Sequence, residues 1–299
     1  MTALAPRAQP PARGLRAVAV ALYRRPRAQL GLLLAAPLGW LVIAYLGSLA
    51  LFLISSFWSV DSTTGNIVTT PTLKNYIEIA TTEVYRTITI RTVFMAALVT
   101  LTTIVVAFPI AFYASRVASS RIRGILTISI LLPLWSGYLV KVYAWRLILS
   151  QNGVLNSVLA PLGLHGPGYS DVAVWLVESY LWLPYMIIPI VAGLERIPGS
   201  LIEASSDLGA RAGLTFRRVI LPLAIPAVIA GSIFTFSLTM GDYITPQLVS
   251  NTRFIGNAVY DFLGVAGNQP LAAALAMIPV TIMLIYLLVA RRLGALDAL

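Results

Sequence analysis

The chain has 299 residues, 58% of them hydrophobic and 11% charged, with a mean hydropathy of +0.85. Soluble domains carry about 25% charged residues, so this composition excludes an ordinary soluble globule and indicates a chain surrounded mostly by lipid. The formal net charge of +10 would raise nucleic-acid binding in a soluble protein, but here the basic residues sit in short segments between apolar runs, a pattern of membrane topology and anionic-lipid contact.

Those apolar runs are continuous rather than alternating. That excludes a β-barrel and calls for helices, which satisfy their backbone groups internally within the bilayer. The arm at 1–28 holds Arg7, Arg13, Arg16, Arg24, Arg25 and Arg27 with no acid among them. Leu15, Val18, Ala19 and Leu22 follow helical spacing there, so part of the arm can lie flat on the membrane surface. The first apolar run reaches from about Leu30 to Trp58, too long for a signal peptide, and reads as a retained helix.

Spans are expected at 30–57, 88–115, 124–148, 171–194, 223–249 and 271–290, giving an all-α, polytopic protein with six transmembrane helices. The expected organisation is a basic arm (1–28), a six-helix membrane domain (29–292) containing a loop at 195–222, and a short tail (293–299). Of the 21 lysines and arginines, all but Lys74, Arg86, Arg91, Lys141, Arg146 and Arg253 fall on the side that carries the arm, the 116–123 and 195–222 loops and the tail. The positive-inside rule makes that side, with both termini, cytoplasmic.

Prolines at 37, 109, 133, 184, 189, 226, 246 and 279 punctuate the spans, and each removes a helical hydrogen bond. Gly193, Gly231, Ser232 and Ala272 to Ala274 allow close helix approach. Cysteine is absent and His165 is the only histidine. Disulfides, thiolate catalysis and a Cys- or His-based metal cluster are thereby excluded, and His165 reads as an ordinary histidine in a Gly/Pro-rich loop. No obvious internal repeat is visible, which weighs against a single-chain transporter made of two inverted halves.

The 195–222 loop is the most informative stretch. Pro198 and Gly199 end the preceding helix. Ser200 with Glu203 matches a capping box, and Gly209 suits a left-handed stop. A helix of about two turns is expected between them, with a largely apolar surface of Leu201, Ile202, Ala204, Ser205 and Leu208. A helix so short is not stable alone, so it docks either on its own spans or on a partner.

Glu203-Ala204-Ser205, then Gly209, then Val219-Ile220-Leu221-Pro222 resemble the EAA loop of ABC importer permeases, with Ser205 and Val219 in place of the usual Ala and Ile. Looser stretches around Leu132-Pro133-Leu134-Trp135, Trp182-Leu183-Pro184-Tyr185 and Gly241-Asp242-Tyr243 resemble the spermidine/putrescine type over about residues 30–290. The resemblance implies a type I importer permease in a bacterial inner membrane. It implies a second permease subunit, in this subfamily usually a paralogue, along with two ATPase subunits and an extracytoplasmic substrate-binding protein. ATP-coupling positions on this resemblance are Ser200, Glu203, Ala204, Ser205, Asp207, Gly209, Leu221 and Pro222. Arg211, Arg217 and Arg218 read equally as ATPase contacts or as positive-inside charges. No GxxxxGK[ST] loop occurs in the sequence, so this chain is expected to bind no cofactor and to leave ATP and Mg to the partner ATPase.

Charged groups inside spans are costly and often functional. Glu178 and Asp242, with the aromatic residues Tyr180, Trp182, Tyr185 and Tyr243, could recognise the ammonium groups of a polyamine. The alternative is that both acids pair with Lys141 or Arg146 for packing, or that those two cations snorkel at a helix end. Relatives in the wider subfamily handle amino-acid-like compounds, opines and phosphonates. An ATP-independent transporter or channel would share the spans but would not need the EAA spacing. An embedded enzyme would need a reactive constellation that is not found.

Overall fold

A computed structural model describes residues 26–294, so the surface-helix reading of the arm and most of the expected tail lie outside the described residues. The described chain falls into two compact units, 26–54 and 55–294. In the first, α1 (Pro26–Trp40) runs through a π-helical turn, Leu41–Leu46, into α2 (Gly47–Ser55). Pro37 is accommodated inside α1 without ending it.

The second unit opens with a two-stranded antiparallel hairpin, β1 (Ser59–Val60) and β2 (Ile67–Val68), with Ser59 opposite Val68. The Thr63 hydroxyl, then the Thr63 and Thr64 amides, bond Asp61 in the turn and hold its carboxyl below the usual carboxylate range. Asn75 on α3 (Lys74–Thr81) ties this segment down by donating to the carbonyls of Ser56 and Trp58 at 2.9 and 2.8 Å.

The long helices follow: α4 (Glu83–Phe112) with a π-helical turn Tyr113–Val117, then α5 (Ser120–Trp135), α6 (Tyr138–Leu149) and α7 (Val154–Leu159). After them come α8 (Asp171–Glu195), α9 (Gly199–Asp207), α10 (Ala212–Thr215) and the π-helical turn Phe216–Ile220. The chain closes with α11 (Leu221–Gly241), α12 (Ile244–Val249), α13 (Ile255–Gly264) and α14 (Gln269–Arg292). Among the described residues five helices are long and apolar enough to cross a membrane, and a sharply bent pair brings the number to six when it is counted as one span.

Two expected spans differ from those observed. The third, expected as one proline-bent span over 124–148, breaks between α5 and α6 and bends by 95°. The break comes at Ser136 and Gly137, both with extended ψ, rather than at Pro133. The Pro133 carbonyl released there accepts from the Ser136 hydroxyl at 2.8 Å and the Lys141 ammonium at 3.1 Å. Lys141 therefore folds back on its own chain instead of snorkelling. The fifth span, expected over 223–249, is interrupted after Gly241, where Asp242 turns extended and its side chain accepts from the amides of Ile244 and Thr245. Short acidic side chains compete with helical backbone bonds in this way.

The core of the second unit is α8 packed between α4 and α11. Its buried face carries Val174, Val177, Leu181, Pro184, Ile187, Ile190 and Leu194, at the three- and four-residue spacing of a helix stripe. Small residues set how closely α8 and α11 approach. A Cβ on Gly193 would lie 2.2 Å from the Ala227 Cβ, and one on Gly231 would lie 3.1 Å from the Met186 carbonyl oxygen. Without a strong hydrophobic force between lipid-immersed helices, such close backbone packing holds them together. Gly193→Val forces the helices apart, and overpacking of this kind costs about 1–3 kcal/mol. A thermal melt of the detergent-solubilised protein is expected to shift downward for Gly193→Val and to stay near wild type for Gly124→Ala, where an added Cβ meets nothing.

Candidate functional site

Two places hold chemistry-bearing residues together: the loop between α8 and α11, and a polar cluster inside the helix core.

In the loop, α9 begins at Gly199 with Pro198 at the cap position and no side-chain cap bond. The expected Ser200–Glu203 capping box is not formed. Pro198 holds φ at −63° and ψ at 138°, which starts the helix one residue before the serine can cap it. The far end matches expectation. Gly209 adopts φ +80°, its amide donates to the Ser206 carbonyl at 2.8 Å, and the Ala210 amide reaches the Ser205 carbonyl at 3.1 Å. These two bonds are the Schellman closure.

The helix divides into two faces. Ile202 packs inward toward the buried residues Leu194, Ile197 and Ile220, and Ser205 shares a 2.9 Å hydrogen bond with Thr215. Leu201, Glu203, Ala204, Asp207 and Leu208 are exposed, Leu208 at 88%. Leu201, Ala204, Leu208, Gly209, Leu214 and Arg218 edge an open hollow of about 420 Å³. Ser200 is exposed, and Leu221 and Pro222 begin α11. The expected apolar surface is therefore split, with Ile202 and Ser205 holding the helix to its own chain and the remainder free.

In the core, Asp242 is fully engaged. Both of its oxygens accept from the Tyr138 hydroxyl at 2.6 Å. Thr245 donates to Oδ2 at 2.6 Å, and the amides of Ile244 and Thr245 donate to Oδ1 at 2.9 and 3.2 Å. Glu178 is 1% exposed and lies close enough to Asp242 for their charges to interact. Its Oε2 has no hydrogen-bond partner, and neither do the buried Trp182 Nε1 and Thr239 Oγ1. Trp182 stacks on Tyr138 at 5.9 Å between centroids and meets Tyr185 edge-on at 6.1 Å. Tyr180 packs instead against Trp145. Tyr243 stacks on Tyr260 at 4.8 Å, and both line a separate, mostly apolar cavity of about 540 Å³. The alternative pairing of the acids with Lys141 or Arg146 is not seen among the described residues: Lys141 bonds the Pro133 carbonyl and Arg146 lies over the Tyr169 ring at 5.7 Å.

The chain matches the family described as "Binding-protein-dependent transport system inner membrane component" over residues 103–295. It belongs to that family of ABC importer permeases. It is 43% identical to the inner membrane ABC transporter permease protein YdcU of Escherichia coli (strain K12) over 308 residues, covering 97% of this chain and 98% of that one. It is 29% identical to the spermidine/putrescine transport system permease protein PotB of the same organism over 259 residues, covering 84% of this chain and 92% of the relative. A solved bacterial alginate ABC transporter, crystallised with an alginate pentasaccharide-bound periplasmic protein, aligns with a TM-score of 0.70 at 16% identity, over 93% of this chain and 98% of the matched one. That likeness supports the fold.

Of the pathway candidates read from the permease sequence, the fold brings Glu178, Asp242, Trp182 and Tyr185 together, while Tyr180 and Tyr243 face other neighbours. Sequence reading missed Tyr138 and Thr245, the partners of Asp242, and Tyr260. Tyr138 lies 104 residues from Asp242, and no local pattern links them. Removing one partner of a buried, charge-assisted hydrogen bond costs roughly 1–3 kcal/mol. Tyr138→Phe is expected to lower the detergent melting temperature of the permease. Thr102→Val, which removes neutral bonds to Trp175 and to the Leu98 carbonyl and none to a carboxylate, is expected to lower it less.

Proposed function

We propose that this permease forms half of the translocation pathway of an ATP-driven importer of a polyamine of the spermidine/putrescine type, and that α9 is where a separate ATPase subunit docks. The single observation that carries the docking reading is the two-faced helix. One face is pinned by Ile202 and Ser205, the end is closed at Gly209, and Leu201, Ala204 and Leu208 stand free beside an open hollow. A capped, rigid element of this kind transmits a push as a body. Glu203 and Asp207 on the exposed side are contact positions, while Ser200, Leu221 and Pro222 frame the roots of the loop.

The polyamine reading rests on two supports. Several relatives carry the name of spermidine/putrescine permeases. In addition, a buried carboxylate with an unfilled oxygen lies among Trp182, Tyr185 and Tyr138, the groups that recognise an ammonium ion. In this proposal Glu178 meets the substrate when the helices part. Tyr180, Trp182, Tyr185 and Tyr243 offer aromatic faces along the route, and Asp242 holds the broken end of α11 at its edge.

The assembly comprises a second permease subunit, two ATPase subunits that bind ATP and Mg, and an extracytoplasmic binding protein. In this reading both termini face the cytoplasm, which the distribution of basic residues supports.

Proteoliposomes containing the assembled transporter and its binding protein are expected to accumulate labelled spermidine or putrescine only with ATP inside. Glu178→Gln is expected to raise the KM for uptake; an unchanged KM removes Glu178 from the pathway. Accumulation of an amino acid but of neither amine would overturn the substrate class. A left-handed backbone costs a β-carbon residue roughly 1–2 kcal/mol, so Gly209→Val is expected to loosen the end of α9 and reduce uptake while ATP hydrolysis continues. A phosphatase active only outside the cytoplasm, fused after Leu299, is expected to stay silent.

A further inference from the structure

Residues 196–198 join the end of α8 to α9, and the carbonyls at this junction lack regular helical donors, Leu194 accepting a turn bond from the Ile197 amide at 3.2 Å. Arg116, in the π-helical turn that ends α4, reaches across to them. Its Nη2 donates to the Leu194 carbonyl and, at 2.8 Å, to the Ile197 carbonyl. Arg123 binds back in turn: Nε donates to the Ala114 carbonyl and Nη2 to the Ser115 carbonyl, each at 3.0 Å, while Nη1 lies 3.8 Å from Glu195. Leu194 and Ile197 are buried, so water does not readily replace these bonds.

The other root of the loop is held by the same helix. Phe216 lies edge-on to Phe108 and Phe112 of α4, at 5.9 and 5.6 Å with both ring planes near 87°. Both roots of the loop are thus attached to the end of α4, one through a guanidinium and one through aromatic edges.

We infer that Arg116 is a positioning residue of the transport cycle: it locks the end of α4 to the root of α9, so that a push on α9 moves α4, α8 and α11 together rather than bending the loop. This inference rests on α9 being the ATPase-docking element. The chemistry calls for arginine. Both bonds come from Nη2, which stands one bond farther from the backbone than a lysine Nζ and has its hydrogens fixed in the guanidinium plane, whereas a lysine ammonium is a compact point charge on a flexible stem. A positive charge kept only for topology would tolerate Arg116→Lys. A bridge would not.

The absence of cysteine allows paired spin labels at Ser119 and Ser206, both exposed. The pair is placed in the wild-type background and in Arg116→Lys within the assembled transporter, and interlabel distances are measured with and without ATP. Leu201→Arg serves as a third arm, read by whether the ATPase co-purifies. In the wild type one narrow distance is expected, unchanged by nucleotide. Arg116→Lys is expected to retain the ATPase, to broaden the distance distribution and shift it with ATP, and to import less substrate per ATP hydrolysed. A distribution for Arg116→Lys as narrow as wild type under both conditions would overturn the inference and leave Arg116 a topological charge. Retention of the ATPase by Leu201→Arg would instead remove the docking reading beneath it.

Discussion

A backbone carbonyl released inside a bilayer has no water to turn to, and the interruptions in this chain are placed where a side chain or a turn answers the freed group. Ser136 and Lys141 take up the Pro133 carbonyl at the bend between α5 and α6. Asp242 takes up the amides of Ile244 and Thr245 where α11 stops. Arg116 takes up Leu194 and Ile197 where α8 stops, and the Gly209 and Ala210 amides close α9. Within the long helices, Thr89, Thr92, Thr100, Thr102 and Ser115 return their hydroxyls to the carbonyl four residues back. Satisfying these groups allows the spans to be broken without being lost.

This constraint explains what could be read from the sequence. Where a crossing lies is a matter of summed hydrophobicity, which is local, so the spans were legible. Where a crossing breaks is settled by partners. Pro133 and Pro109 lie inside helices that continue past them, because proline removes a donor and neighbours can absorb the change. Ser136 and Asp242, which carry no helix-breaking label, stand at the actual stops. The Ser200–Glu203 pair had the pattern of a capping box, yet Pro198 started the helix first. Gly209 was legible because only its own φ was at stake. Lys141 and Arg116 were not: each is explained by a carbonyl that the fold delivers, in the case of Arg116 from 78 and 81 residues away.

The two intramembrane acids show how different tasks follow from the same chemistry. A carboxylate can accept about four hydrogen bonds. Asp242 receives donors from Tyr138, Thr245 and two backbone amides, and in return fixes a helix end, α6 and α12 in one place. Opening that set would leave several buried groups unpaired at once, so the geometry favours Asp242 as a fixed joint. Glu178 is as deeply buried, but it keeps an oxygen with no donor beside Trp182 and Thr239, which are equally unanswered.

Buried polar atoms without partners are rare in native proteins because each carries a desolvation cost. Two of them, on Glu178 and Trp182, belong to α8 and a third, on Thr239, to α11, the pair whose glycines bring the backbones nearly into contact. A transporter passes through more than one helix arrangement, and an arrangement that leaves Glu178, Trp182 and Thr239 unsatisfied is raised in energy relative to one that pairs them. The contact between α8 and α11 is tight in its apolar packing and unsatisfied in its polar groups. That combination sets the close apolar packing of the two helices against the gain from pairing their buried polar groups. Through the Arg116-bound carbonyls α8 is tied to the root of α9, so the helix that holds these unpaired groups also holds the loop.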